Sequence, residues 1–221
     1  TDPAQGETSV VVSTLNPISG PEAGKMDRQV DSKTVVTKQL KPGQEVNQMV
    51  QHAIDHEQKG RMSEAINILR QALGQYPQSE EARQLLVGYL FETKQDQEAL
   101  SLLQSAIKQY PEQAIFSKML AKWQLGHGQA EAVITTLKPV ASVFVQDAEF
   151  NWIIAMAYQR MGQHAVALPY FERANSLRPN QPQWVIAYAL SLEANGQNIQ
   201  AIQEFQIALS LPMSERLSEF V

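Results

Sequence analysis

The feature that most restricts the fold of this sequence is a 34-residue period, which runs without an insertion from residue 46 to residue 215. Three columns of the repeat hold only small residues in all five copies, with Ala at 12 of the 15 positions and Val at the other three. Since Ala makes up 24 of the 221 residues, chance would place about 1.6 there. The three columns are Ala53, Val87, Ala121, Ala155 and Ala189; Ala65, Ala99, Val133, Ala167 and Ala201; and Ala72, Ala106, Val140, Ala174 and Ala208. Such a period predicts an array of similar units, each stacked on the next.

Further columns indicate that each unit is a pair of helices. One column holds a large apolar residue in every copy, which suits the gap between neighbouring units. Another holds Gly in four of five copies, as a tight turn between two helices requires, since glycine reaches left-handed backbone angles at low cost. A third holds Pro in three copies, where a helix must stop. These columns are Leu69, Leu103, Leu137, Phe171 and Phe205; Gly60, Lys94, Gly128, Gly162 and Gly196; and Pro77, Pro111 and Pro179.

The repeat resembles the tetratricopeptide repeat, a family of interaction proteins in which antiparallel helices A and B alternate. The resemblance implies an all-α fold, a right-handed α-solenoid in which no unit can bury its apolar face alone. The predicted repeats are 46–79, 80–113, 114–147, 148–181 and 182–215. Residues 1–45, rich in Gly, Pro, Ser and Thr, are expected to form a flexible or extended linker, and residues 216–221 the start of a truncated capping helix.

Two repeats depart from the pattern. Lys94 replaces the turn glycine of the second repeat, and we expect it to fray or reshape that turn. In the third repeat Pro139 falls within the predicted second helix, where proline costs about 3 kcal/mol. That helix is therefore expected to be short or kinked.

The composition excludes several classes of function. The formal charge is −5 with a pI near 5.4 and no cluster of Lys and Arg, which argues against nucleic-acid binding. The chain has no Cys, so disulfides, thiolate metal sites and cysteine nucleophiles are excluded. No apolar run approaches the roughly 18 residues that span a bilayer, and the sequence has no phosphate loop or nucleophile elbow. We predict no enzymatic activity, no catalytic residues and no cofactor.

A group near the start of the array, His52, Asp55 and His56, leaves open a metal-dependent hydrolase. Histidines four residues apart share a helix face and can bind zinc. The same columns in later repeats, however, hold mostly apolar packing residues such as Leu86 and Leu90. Partly packed histidines are therefore the preferred interpretation, and no metal site is predicted.

The inner face of helix A is the expected binding surface, because in tetratricopeptide arrays this helix lines the concave groove. Aromatic, Met and Arg side chains are the types that anchor interfaces. With flanking cations they suggest an apolar peptide of some acidic character. The alternative is that this stripe packs within the chain. The predicted groove residues are Phe91, Lys118, Lys122, Leu125, Trp152, Met156, Arg160, Ile186 and Leu190.

Residues 60–86 and 184–221 also resemble assembly proteins of the mannose-sensitive haemagglutinin (MSHA) pilus, a type IV pilus of Gram-negative bacteria. The resemblance implies a periplasmic array held at the inner membrane by an anchor upstream of Thr1. Its partners would be other pilus-biogenesis subunits, with the secretin complex as a further candidate. Two alternatives are a peptide-binding adaptor unrelated to pili and a self-associating module, a homodimer paired through the N-terminal segment or the C-terminal end.

Overall fold

A computed structural model of the chain describes residues 42–212. The chain divides into two units, Thr1–Gln39 and Leu40–Val221, and the described residues belong to the second. The predictions for an extended N-terminal linker and for a capping helix at 216–221 thus concern residues outside the described range, except that residues 42–45 are already helical.

All regular structure in residues 42–212 is helical, which confirms the predicted all-α class. Helices with odd numbers are the A helices of the repeats and those with even numbers are the B helices. The ten helices are α1 (Pro42–Gln58), α2 (Met62–Gln75), α3 (Glu80–Glu92), α4 (Asp96–Gln109), α5 (Ile115–Gly126), α6 (Ala130–Leu137), α7 (Ala148–Arg160), α8 (His164–Leu177), α9 (Pro182–Ala194) and α10 (Asn198–Ser210).

The three columns of small residues lie where helices pack against each other. All fifteen of their residues are buried, and Val140, at 9% exposed, is the most accessible of them. The large apolar column fills the space between units, since Leu69, Leu103 and Phe171 are fully buried. Consecutive helices pack along the array, and A helices also meet directly, α1 with α3, α5 with α7 and α7 with α9. The period therefore describes one repeated packing geometry.

The turns from A to B share one hydrogen-bond pattern, including the turn that lacks glycine. In the first repeat the N–H of Gly60 donates to Glu57 and that of Arg61 to His56, five residues back. This pair of hydrogen bonds needs a residue with left-handed backbone angles at the turn, and Gly60 has φ 72°. Lys94 adopts φ 62°. The expectation that Lys94 frays or reshapes the turn is wrong, because its backbone enters the left-handed region and keeps both hydrogen bonds.

The third repeat has the short B helix that its proline predicts. Helix α6 has eight residues, whereas the other B helices have 13 or 14. A 3-10 turn, Lys138–Val140, follows it and contains Pro139. Proline has no N–H to continue the helical ladder, so the chain leaves α6 at this point.

Candidate functional site

The described part of the array contains a concave site of about 660 Å³. Its lining comes from α1, α3 and α5, with Glu149 contributed by α7. Six apolar side chains supply most of its lining, and charged or amide groups supply the rest. The lining residues are Ile54, Glu81, Gln84, Leu85, Phe91, Ile115, Lys118, Met119, Lys122, Trp123 and Glu149. We call this site the α3–α5 pocket.

Ring stacking fixes the aromatic side of the α3–α5 pocket. The rings of Phe91 and Trp123 are nearly parallel, with centroids 6.3 Å apart, and the indole of Trp123 also stacks on the His127 ring, with centroids 3.8 Å apart. Stacked rings have few alternative rotamers, so this wall is formed before any partner arrives. Preformed apolar clefts of this size are the usual binding sites of proteins.

The lysines of the pocket are already paired with carboxylates. Lys118 Nζ lies 2.7 Å from Asp147 and 3.5 Å from Glu149, and its side chain is only 14% exposed. Lys122 Nζ lies 2.6 Å from Glu149, although the Lys122 side chain is 69% exposed. Because each ammonium has an anionic neighbour within the protein, the pocket presents little net positive charge. An uncharged apolar side chain fits this lining better than an acidic one.

Both carboxylates that pair with the lysines have pKa values below their ordinary ones. Burial alone would raise the pKa of Asp147, but its hydrogen bonds with Lys118 and with the backbone N–H of Phe150 outweigh that effect. Burial likewise opposes ionisation of Glu149, and hydrogen bonding and charge from Lys122 and Lys118 again keep its pKa low. Both ion pairs are therefore present at neutral pH.

The structure brings together only part of the predicted groove. Phe91, Lys118 and Lys122 share the α3–α5 pocket. Leu125 and Ile186, each 4% exposed, are in the core. Their side chains therefore offer a partner little surface.

The remaining predicted groove residues lie further along the array. Trp152 is stacked on Trp184 of α9, with centroids 5.6 Å apart. Arg160 donates a hydrogen bond to the carbonyl of Leu125. Met156 and Leu190 are partly buried against neighbouring apolar clusters.

Eight lining residues of the pocket are not among the nine predicted groove residues: Ile54, Glu81, Gln84, Leu85, Ile115, Met119, Trp123 and Glu149. Met119 follows the predicted groove residue Lys118 by one position, and Leu85 occupies the same column of the repeat as Met119. On a helix of 3.6 residues per turn, positions three and four apart share a face. A wider stripe would therefore have included both. Trp123 lines the pocket because its ring stacks on Phe91 of the preceding repeat.

The histidine pair lies at the start of the array without a third ligand. The Nε2 atoms of His52 and His56 are 3.1 Å apart. Desolvation, then the nearby charge of Arg61, lowers the pKa of His56. Within residues 42–212 no group of three or more His, Cys, Asp and Glu is placed to hold a metal ion.

The family follows from comparison with known proteins. A sequence profile of the family described as tetratricopeptide repeat matches residues 22–212. The chain belongs to the tetratricopeptide repeat family. Tetratricopeptide proteins are in general non-catalytic scaffolds that bind other proteins. None of the curated protein sequences matches the chain.

Solved structures show the same fold at low sequence identity. MamA 41-end from Desulfovibrio magneticus RS-1 superposes with a TM-score of 0.67 at 16% identity, covering 77% of this tetratricopeptide chain and 97% of that one. MamA MSR-1 C2 gives a TM-score of 0.59 at 22% identity, covering 80% and 98%. At these identities the likeness extends to the fold alone.

The described helices also bear on membrane insertion. In the stretch from residue 42 to residue 212, no helix combines the length and the hydropathy that crossing a bilayer requires.

Proposed function

We propose that this chain is a non-catalytic scaffold that binds an apolar segment of a partner protein in the α3–α5 pocket. The observation that carries the proposal is the pocket itself, a preformed apolar cleft whose nearby cations are already paired. A partner that inserts an aliphatic or aromatic side chain would displace water from Leu85, Phe91 and Met119. Burial of apolar area stabilises a complex by about 25 cal/mol per Å² before the costs of association.

We further propose that the partner belongs to the assembly machinery of a type IV pilus of the MSHA kind. The support is the resemblance of residues 60–86 and 184–221 to MshN, a biogenesis protein of that pilus. On this proposal the array lies in the periplasm and is held at the inner membrane by an anchor outside this chain. Other pilus-biogenesis subunits would be its partners, with the secretin complex as a further candidate.

Crosslinking in cells tests both levels of the proposal. A photoreactive residue at Gln84, in the pocket lining, should capture a partner, whereas one at the exposed Gln104 of α4 should not. Mass spectrometry of the captured protein then identifies it. Capture of proteins without a role in pilus assembly would leave the binding function standing and remove the pilus assignment.

Two variants test whether the partner binds in the α3–α5 pocket or elsewhere on the surface. Phe91→Ala combined with Met119→Ala should reduce capture at least tenfold, because both side chains line the cleft. Val166→Ala, at a residue of α8 that is 43% exposed and outside the pocket, is the matched control. Equal capture by the double variant and the control, with both proteins folded by circular dichroism, would contradict binding in this pocket.

A further inference from the structure

Helix α10, the last one that the structure describes, exposes more large apolar side chains than any other B helix between residues 42 and 212. Ile199 is 77% exposed, Ile202 57%, Leu209 53% and Ile207 47%. We call these four residues the α10 face. They account for half of the large apolar side chains that are prominently exposed between residues 42 and 212. Apolar patches of this kind on soluble proteins mark sites of association.

Comparison with earlier repeats divides the α10 face into two parts. Ile202 occupies the column of Ile66, which is only 3% exposed because another unit follows it. Ile199 and Ile207, in contrast, occupy columns that are exposed in every repeat. The earlier residues in these two columns are mostly polar: Ser63, Gln97, Glu131 and Ala165, and Gln71, Ser105, Pro139 and Arg173. One more helix stacked in the usual way would leave Ile199 and Ile207 in water.

The part of the α10 face around Ile202 and Leu209 carries no charge. Glu204 is the one ionisable residue of α10, and it lies about 200° around the helix from Ile202, on the side that borders Ile207. Earlier B helices place charged residues on their outer sides, among them Arg70 and Glu131. Depletion of charge at a surface is what distinguishes the core of a protein interface from ordinary surface.

The other end of the array is not complementary to this surface. The outer side of α1 carries Gln48 and His52, in the columns where later A helices place Phe116 and Leu120 for packing on the preceding unit. A polar end of this kind is typical of a terminal repeat that faces solvent. Head-to-tail stacking of two arrays would therefore set polar groups against the apolar α10 face.

The uncharged apolar surface around Ile202 and Leu209 is complementary to itself. We propose that the α10 face binds the same face of a second copy of this chain, related by a two-fold axis, so that Ile202 and Leu209 pack near the axis. Two-fold contacts place each residue against the matching patch of the partner, which is the commonest arrangement of homodimers. This interface lies on α10, whereas the α3–α5 pocket lies between α1, α3 and α5, so the two sites are independent.

Light scattering of the 221-residue chain tests the proposal. The expected mass is twice the 24.7 kDa of one chain. Ile202→Asp with Leu209→Asp should give monomers, because the charges would be buried in the interface. Val143→Asp, at a loop residue that is 66% exposed, should leave the dimer intact. A monomeric parent chain, or a dimer unchanged by the double variant, would overturn the proposal.

Disulfide trapping gives a second readout that does not depend on stability. The chain contains no Cys, so one cysteine introduced at Gln206, between Ile199 and Ile202 on the helix surface, reports on this contact alone. It should form a disulfide-linked dimer rapidly, while a cysteine at Gln104 should not. A chain ending at Pro212 should dimerise as the parent does. If dimers form only after residues 213–221 are removed, that segment covers the α10 face and the proposal is wrong.

Discussion

The ammonium of Lys118 and the carboxylate of Asp147 lie 2.7 Å apart, and this pair joins α5 to the beginning of α7. Asp147 is also the N-cap of α7, accepting a hydrogen bond from the backbone N–H of Phe150 at 2.8 Å. The helix between them, α6, is the shortest of the array. Two A helices are thus tied directly at the point where the intervening B helix supplies the least packing.

Removal of the Lys118 ammonium should reduce the loss of folding stability that occurs as the pH falls into the acid range. The pKa values of Asp147 and Glu149 are lowered in the folded protein from 3.8 and 4.5. Their ion pairs therefore stabilise the fold above those ordinary values, and this stability is lost as pH falls through the lowered values. In Lys118→Met the difference in free energy of unfolding between about pH 6 and about pH 3 should be smaller than in the parent.

Urea unfolding at several pH values measures that difference. Lys108→Met, at an exposed residue of α4, is the matched control, since Lys108 is not among the groups that lower the pKa of Asp147 or Glu149. Identical pH dependence in the parent and Lys118→Met would show that the Lys118 pairs do not hold these carboxylates ionised.

Lys94→Gly should stabilise the array by about 1 kcal/mol, because a residue with a side chain pays for its left-handed backbone at φ 62°. Gly128→Ala is the reverse test, with an expected loss of about 1 kcal/mol. A Cβ atom at Gly128 would meet nothing within 4 Å, so backbone conformation alone sets the cost. Urea unfolding of both variants measures whether the free energy of unfolding rises in Lys94→Gly and falls in Gly128→Ala. A loss of stability in Lys94→Gly would mean that the lysine side chain contributes more than its backbone costs.

The helical array was predictable because packing repeats along it, whereas the pocket depends on contacts that do not repeat. The small residues at Ala99 and Ala167 had to be buried in any stack of helix pairs, and they are. The ion pairs of Lys118 could not be predicted from the sequence, because they depend on the path of the loop after α6. That loop places Asp147 next to the Lys118 ammonium. For the same reason the sequence suggested a peptide of some acidic character beside the groove cations, although Lys118 and Lys122 are already paired with carboxylates.

Arg83 shows how a charged residue can be part of the core. It is 5% exposed, donates to the carbonyl of Pro77 and to Gln113 Oε1, and lies 4.5 Å from the centroid of the Tyr110 ring. Arg83→Ala should lower the free energy of unfolding by about 2–3 kcal/mol, because buried acceptors lose a charged donor. Arg70→Ala should cost under about 0.5 kcal/mol, since its pair with Glu98 is exposed. Similar losses of unfolding free energy in both variants would show that the burial of Arg83 does not make it more important for stability than the exposed Arg70.

Ala167→Leu and Ala165→Leu place the same side chain on one helix, α8, in two different columns of the repeat. Ala167 is fully buried in its column, and no space for three more carbons exists without moving a neighbouring helix. The Ala167 variant should therefore lose about 1–3 kcal/mol of stability. Ala165 is exposed, and leucine is a good helix former, so that variant should change by less than about 0.5 kcal/mol. Thermal unfolding followed by circular dichroism compares the two. If both variants melt like the parent, small size at the repeated position is not what allows the helices of this array to pack.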